Sequence, residues 1–168
     1  MPTNLELKAR FPSSARARRI SRALGARFDG ILKQTDTYFG VKRGRLKLRE
    51  INGKSLELIY YRRVNTKGSR YSDYNVLPLQ NIQAARRLLT SLFEITVVVK
   101  KRRELFLYRN SRIHIDSVAG LGGFIEFEVL VVRGKRQARH LMSFLKSKFE
   151  IDSSSLIAGS YSDLIRLR

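Results

Sequence analysis

Arg45-Leu46-Lys47-Leu48-Arg49 alternates cation and leucine residue by residue. Successive side chains of a β-strand point to opposite faces. A strand here carries its cations on one face and its leucines on the other. Six further stretches keep the same period, with one polar face each: Asn4, Glu6, Lys8 and Arg10; Tyr61 and Arg63; Arg70, Ser72 and Tyr74; Val99, Lys101 and Arg103; Arg112, His114 and Asp116; Phe124, Glu126 and Glu128. The opposite faces are mostly Leu, Ile, Val and Phe. An open sheet could turn its charged face to water. A solvent face normally mixes signs, however, and like charges on neighbouring strands repel. A closed barrel with a charged interior accommodates all seven stretches, and a bound polyanion would bridge the cations.

The spacing between stretches supports this reading. Pro12 ends the first strand, Ser13 or Ser14 caps a helix to about Leu24, and Gly25 stops it. Strands follow over 31–39, 45–50, 56–63 and 70–75, with Asn52-Gly53 as a hairpin signal. These are meander spacings, so the sheet is predicted antiparallel. Asn81 caps a second helix to about Phe93, with Ile82, Ala85, Leu88, Leu89 and Leu92 as its expected buried stripe. Strands over 96–107, 112–118 and 123–132 and a helix over 135–148 come next. The tail, 156–167, has no clear periodicity. The expected fold is α+β: an eight-stranded antiparallel barrel with flanking helices, in one domain over 1–168.

The chain has 168 residues, enough for one ordinary domain, and 43% hydrophobic residues, enough for a core. It has no cysteine, so neither a disulfide framework nor a thiolate metal site is available. No apolar run approaches the ~20 residues of a membrane helix, and the first residues lack a signal-peptide core; a cytoplasmic protein is expected. With 34 Lys+Arg against 14 Asp+Glu, the net charge is +20. That balance predicts anionic partners, and by charge alone nucleic acid comes first.

The distribution of charge redirects the expectation inward. Lys8, Arg10, Arg45, Lys47, Arg49, Arg63, Arg70, Lys101, Arg103 and Arg112 all sit on the polar faces. Guanidinium groups match phosphate bidentately, so a triphosphate-bearing small molecule is the expected ligand. Glu6, Asp116, Glu126 and Glu128 are acids on the same faces. Glu126 and Glu128 project to one side about 6.6 Å apart along their strand. All-oxygen ligation suits Mg²⁺ or Mn²⁺; the alternative is that these acids pair with interior arginines. His114 could be a general base, or a hydrogen-bonding group inside the barrel, which is the favoured reading. There is no P-loop and no nucleophile triad, and Gly120-Leu121-Gly122-Gly123 is a turn, not a dinucleotide fingerprint.

The quoted motifs resemble the CYTH domain family, also called triphosphate tunnel metalloenzymes, which includes class IV adenylate cyclases and thiamine triphosphatases. Asn4-Leu5-Glu6-Leu7-Lys8 is similar to the family's opening Glu-x-Glu-x-Lys strand. Gln34 to Phe39, Arg45 to Arg49, Leu58 to Arg63, Gly68 to Tyr74, Val99 to Arg103, Ile113 to Asp116, Gly120 to Glu128 and Ser160 to Leu164 resemble later blocks in order. The resemblance implies a tunnel, divalent-metal dependence and triphosphate substrates. It implies that Glu6, Asp116, Glu126 and Glu128 hold metal, that the interior Lys and Arg bind phosphate, and that Glu6 and Lys8 are the catalytic candidates. Tyr161, in the closing segment, joins His114 as a candidate base or hydrogen-bonding group. Asn4 departs from the family glutamate: a neutral carbonyl oxygen replaces a carboxylate, so one ion site loses a charge. The expectation is a triphosphate hydrolase, with an adenylate cyclase and a non-catalytic polyphosphate or nucleic-acid binder as alternatives. Monomer and homodimer both stay open.

Overall fold

Among the described residues, the alternating stretches lie in strands that turn most of their polar side chains inward. The computed structural model describes residues 3–62 and 66–167. Among them are β1 (Thr3–Arg10), α1 (Ser14–Ala23), β2 (Arg27–Phe39), β3 (Arg45–Ile51), β4 (Ser55–Arg62) and β5 (Arg70–Leu79). They are followed by α2 (Ile82–Leu92), β6 (Ile95–Tyr108), β7 (Ser111–Val118), β8 (Gly122–Leu130), α3 (Lys135–Lys148) and α4 (Tyr161–Arg166). The strands close in the order β1-β5-β4-β3-β2-β6-β7-β8, and every pairing is antiparallel. Among the described residues no helix is long and apolar enough to cross a membrane.

Parity explains the layers. On one side, Leu5, Leu7 and Ala9 of β1 join Ile113, Ile115, Ile125, Phe127 and Val129 of β7 and β8 in a single outward-facing core. Helix α3 covers it with Ala138, Leu141, Met142 and Leu145, and α1 adds Ala17. Each large apolar side chain buried there contributes about 1.5–3 kcal/mol. On the other side, Leu48 and Leu56 of β3 and β4 meet Leu89 of α2. The inward side chains have a smaller apolar cluster of their own, in which Tyr38, Tyr61, Val99 and Phe124 meet Tyr161.

Local chemistry sets the boundaries. Ser13 accepts from Arg16 N at the start of α1, and Asn81 accepts from Ala84 N at the start of α2, as the sequence predicts. In the β3–β4 turn, Asn52 and Gly53 both have positive φ, 55° and 66°, which Asn and Gly tolerate best.

Four expectations need correction. Strand β2 begins at Arg27, not Ile31, because a bulge between Phe28 and Gly30 carries it onward beside β6. Strand β5 runs on to Leu79 through Pro78. Proline is tolerated there because β1 pairs only with Arg70–Asp73, so the later residues have a strand on one side alone. In α2, Leu88 and Leu92 are 60% and 64% exposed, while Ile82, Ala85 and Leu89 form the stripe that meets the barrel. The tail contains α4, whose Ser160–Asp163 capping box fixes its start.

Candidate functional site

The barrel encloses a cavity of about 210 Å³. Lys8, Lys47, Arg49, Lys101, Arg103 and Arg112 line it, together with Glu6, Glu57, Glu126 and Glu128. Asn4, Ser72, Tyr38, Tyr61, Tyr74, Ser160 and Tyr161 complete much of the wall. The sheet register places opposite charges side by side: Asp36 beside Arg49, Arg103 beside Asp116, Arg112 beside Glu128, and Lys8 beside Glu126.

The expected stack of uncompensated cations is therefore not what the barrel holds. Asp36, 1% exposed, accepts from Lys47 at 2.9 Å and from Arg49 at 2.7 Å and 2.9 Å. Lys101 Nζ lies 3.7 Å from the same carboxylate. Burial opposes ionisation of Asp36, but Arg49, Lys47 and Lys101 outweigh it and hold its carboxyl well below the usual carboxylate range. Lys101 has the reverse balance. Burial, and next the charge of Arg103, depress its ammonium well below the usual lysine range, and Asp36 only partly compensates. Sequence reasoning did not single out Asp36, because Gln34-Thr35-Asp36-Thr37 is polar on both faces and hides its parity.

The second half of the cavity is acidic. Arg103 makes a two-pronged bond to Asp116 at 2.7 Å and 2.7 Å, and also donates to Glu126 at 2.7 Å. Tyr161 donates its hydroxyl to Asp116 at 2.7 Å. Burial, then the Asp116 and Glu126 charges, push that phenol well above its ordinary range. Asp116 is thus engaged by a guanidinium and a phenol, and it lies behind the cavity wall. Lys8 Nζ sits 3.2 Å from Glu126 and 3.8 Å from the centre of the Tyr161 ring. Arg112 Nε is 3.1 Å from Glu128. Against the desolvation of burial, the charge of Lys8 and then that of Arg103 hold the Glu126 carboxyl well below its ordinary value.

His114 is 4% exposed, and its Nδ1 has no hydrogen-bond partner. Burial, then the charge of Arg103, keep its imidazole below the usual histidine value, and so neutral at neutral pH. One donor atom each from His114, Glu126 and Glu128 lie within 4.8 Å of one another. This orphaned nitrogen between two carboxylates is a candidate cation site, and the residues fit a divalent metal ion. Among the described residues, Glu6 and Asp116 are outside that cluster; Glu6 pairs in register with Glu128 from the neighbouring strand.

Several expected phosphate ligands point elsewhere. Arg10 is exposed and lies over the Phe124 ring, 5.2 Å from its centre. Arg45 pairs with Asp163 at 2.8 Å and donates to Ser160, joining β3 to α4. Arg70 is buried and donates to the carbonyls of Ile157 and Gly159, at 3.0 Å and 3.4 Å, which ties down the tail. None of the three is among the residues that line the cavity. Arg63 lies outside the described residues. Asn4 does face the cavity, and its Oδ1 is buried without a hydrogen-bond partner.

The profile of a protein family described as CYTH domain matches residues 2–161. Among curated proteins no relative matches the chain. Similar solved structures include a protein of Pyrococcus horikoshii, with a TM-score of 0.86 at 23% identity, covering 96% of this chain and 98% of that one. A candidate adenylate cyclase from Vibrio parahaemolyticus has a TM-score of 0.80 at 18% identity, covering 97% of each chain. A candidate adenylyl cyclase from Hippeastrum, described as having a dominant triphosphatase activity, has a TM-score of 0.67 at 15% identity, covering 99% of this chain and 96% of that one. At these identities the likeness establishes the barrel and its connections.

Proposed function

The chain belongs to the CYTH domain family, and from that premise we propose that it is a divalent-metal-dependent phosphohydrolase acting on a triphosphate. The carrying observation is the cavity itself, in which six cations share about 210 Å³ with the carboxylates of Glu6, Glu57, Glu126 and Glu128, the last two grouped with His114, which lies behind the cavity wall. Pockets that bury a drug-sized ligand are ~300–1,000 Å³. A space of about 210 Å³ holds a polyphosphate chain, so we take inorganic tripolyphosphate, or the phosphate tail of a larger compound whose remainder lies at the open mouth, as the ligand. The triphosphatase activity described for the Hippeastrum protein, which has the same fold, supports hydrolysis as the reaction.

The division of the cavity gives each group a task. Lys47, Arg49 and Lys101 bind phosphate oxygens while Asp36 holds them in position. A polyanion entering beside Lys101 favours the charged ammonium, which burial otherwise disfavours. Arg103 stands between this basic half and the acids, its guanidinium oriented by Asp116 and Glu126, and can stabilise charge that develops during phosphoryl transfer. Tyr161 fixes Asp116 from behind. Lys8 reaches the acid end, and Glu6 supplies a further carboxylate there. Glu126, Glu128 and His114 would hold the metal ion. When bound, a divalent cation supplies charge neutralisation at the scissile phosphoryl and an oriented water. Asn4 presents a neutral carbonyl where the family carries a carboxylate, which favours one ion over two.

Cyclisation is the competing chemistry, since adenylate cyclases of the family act on ATP. Product analysis separates the two. Incubation with tripolyphosphate, ATP and thiamine triphosphate in Mg²⁺ or Mn²⁺ is expected to release orthophosphate. Cyclic AMP with pyrophosphate as the main product from ATP would sink the hydrolase reading.

A further inference from the structure

We propose that His114 Nδ1 is a direct nitrogen ligand in the barrel, and that with Glu126 and Glu128 it makes a site for a late first-row transition-metal dication, Co²⁺ or Zn²⁺, in preference to Mg²⁺, with Mn²⁺ as its spectroscopic probe. Adjacent strands build the site. His114 on β7 is the register partner of Glu126 on β8, and Glu128 follows two residues later on the same face. The ring nitrogen stands 3.8 Å from Glu126 Oε2 and 3.8 Å from Glu128 Oε1. Those distances are too long for hydrogen bonds. They bracket a space in which one ion could touch all three donors at bond lengths of about 2.0–2.2 Å after a small contraction.

The same nitrogen is fully enclosed and has no other partner. A buried imidazole nitrogen is normally hydrogen-bonded, and one that faces two carboxylates can offer its lone pair to a cation when the ring proton sits on Nε2. Lys8 and Arg112 contact the other oxygens, Glu126 Oε1 and Glu128 Oε2, while Arg103 shares Glu126 Oε2 with the site. A carboxylate has about four acceptor directions, so these contacts and an ion can coexist. Ligand type decides the metal. Mg²⁺ takes oxygen ligands and dehydrates reluctantly, whereas imidazole nitrogen suits the later divalent ions. On this proposal a mixed nitrogen–oxygen site takes the place of the expected all-oxygen one for Mg²⁺ or Mn²⁺.

The inference rests on the reading that a divalent cation works in this cavity, so its test contains no triphosphate. Metal-free full-length protein is loaded with Mn²⁺, and electron spin-echo modulation is recorded. Coupling to a directly bound ¹⁴N is expected. The chain has two histidines, and the second, His140, is exposed on α3. The coupling should therefore persist in His140→Gln and vanish in His114→Gln. Calorimetry of His114→Gln should show Zn²⁺ affinity down at least tenfold and Mg²⁺ affinity within about twofold. Absence of nitrogen coupling in the unmodified protein, or equal weakening of both metals, overturns the proposal. The first measurement needs no variant, so a misfolded His114→Gln does not blunt it. Nitrogen coupling without turnover would fail the hydrolase reading alone; turnover without nitrogen coupling would fail this one alone.

Discussion

Asp36 is the residue on which the basic half of the cavity depends. It compensates Lys47, Arg49 and Lys101 at once, and removing one member of a buried charge cluster typically costs about 3–5 kcal/mol. Asp36→Asn is expected to lose about that much stability in denaturant unfolding, and added tripolyphosphate should restore much of it by supplying the missing negative charge. Lys101 makes a second prediction. Its ammonium is depressed by burial and by Arg103, so an arriving polyanion should draw a proton onto it. Calorimetry at pH 9 in buffers of different ionisation heat should register proton uptake on tripolyphosphate binding, and Lys101→Met should abolish it. Legibility varied at this scale. The alternation in Arg45–Arg49 and Phe124–Glu128 identified Lys47, Arg49, Glu126 and Glu128 as inward residues, and the register confirms their common face. Asp36 was hidden by polar neighbours on both faces. Arg45 and Arg70 follow the correct parity but are captured by the tail, a long-range contact that no local pattern encodes.

Among the elements, the strands were legible because one buried side and one charged side give a strict period of two. The short terminal helix was not, since six residues hold too little periodicity to register. Its start was nevertheless written in Ser160 and Asp163, the capping pair. Ser160 also receives a bond from Arg45 of β3, so α4 is fastened to the barrel wall at its first turn. Ser160→Ala should therefore cost more than the ~1 kcal/mol of an ordinary cap. Thermal unfolding is expected to show a loss of about 2 kcal/mol, whereas Ser154→Ala, in an exposed loop, should change little.

For the whole molecule, the surplus positive charge lies mainly outside the cavity, where acids largely match the cations. On α1, Arg16 pairs with Glu150 and Arg18 with Glu104, so part of that basic face is already compensated. The interior acids give stability a definite pH dependence. Asp36, Asp116, Glu126 and Glu128 are all held below their ordinary values. The unfolded chain therefore binds more protons than the folded one in acid, and stability rises with pH there. Their contribution is fully present above the unfolded carboxylate range and is lost progressively as pH falls from about 4 toward their lower folded values. Unfolding free energies measured from pH 7 to pH 3 should stay nearly flat and then drop steeply. The central claim, that this barrel hydrolyses triphosphate with a metal held by its late acidic strand, is tested most directly by orthophosphate release from tripolyphosphate with and without Mn²⁺, for the unmodified protein and a Glu126→Gln, Glu128→Gln double variant of verified fold. The account predicts metal-dependent release that the double variant loses by at least a hundredfold. Release indifferent to metal or to the two substitutions, or no release by the unmodified protein, would contradict it.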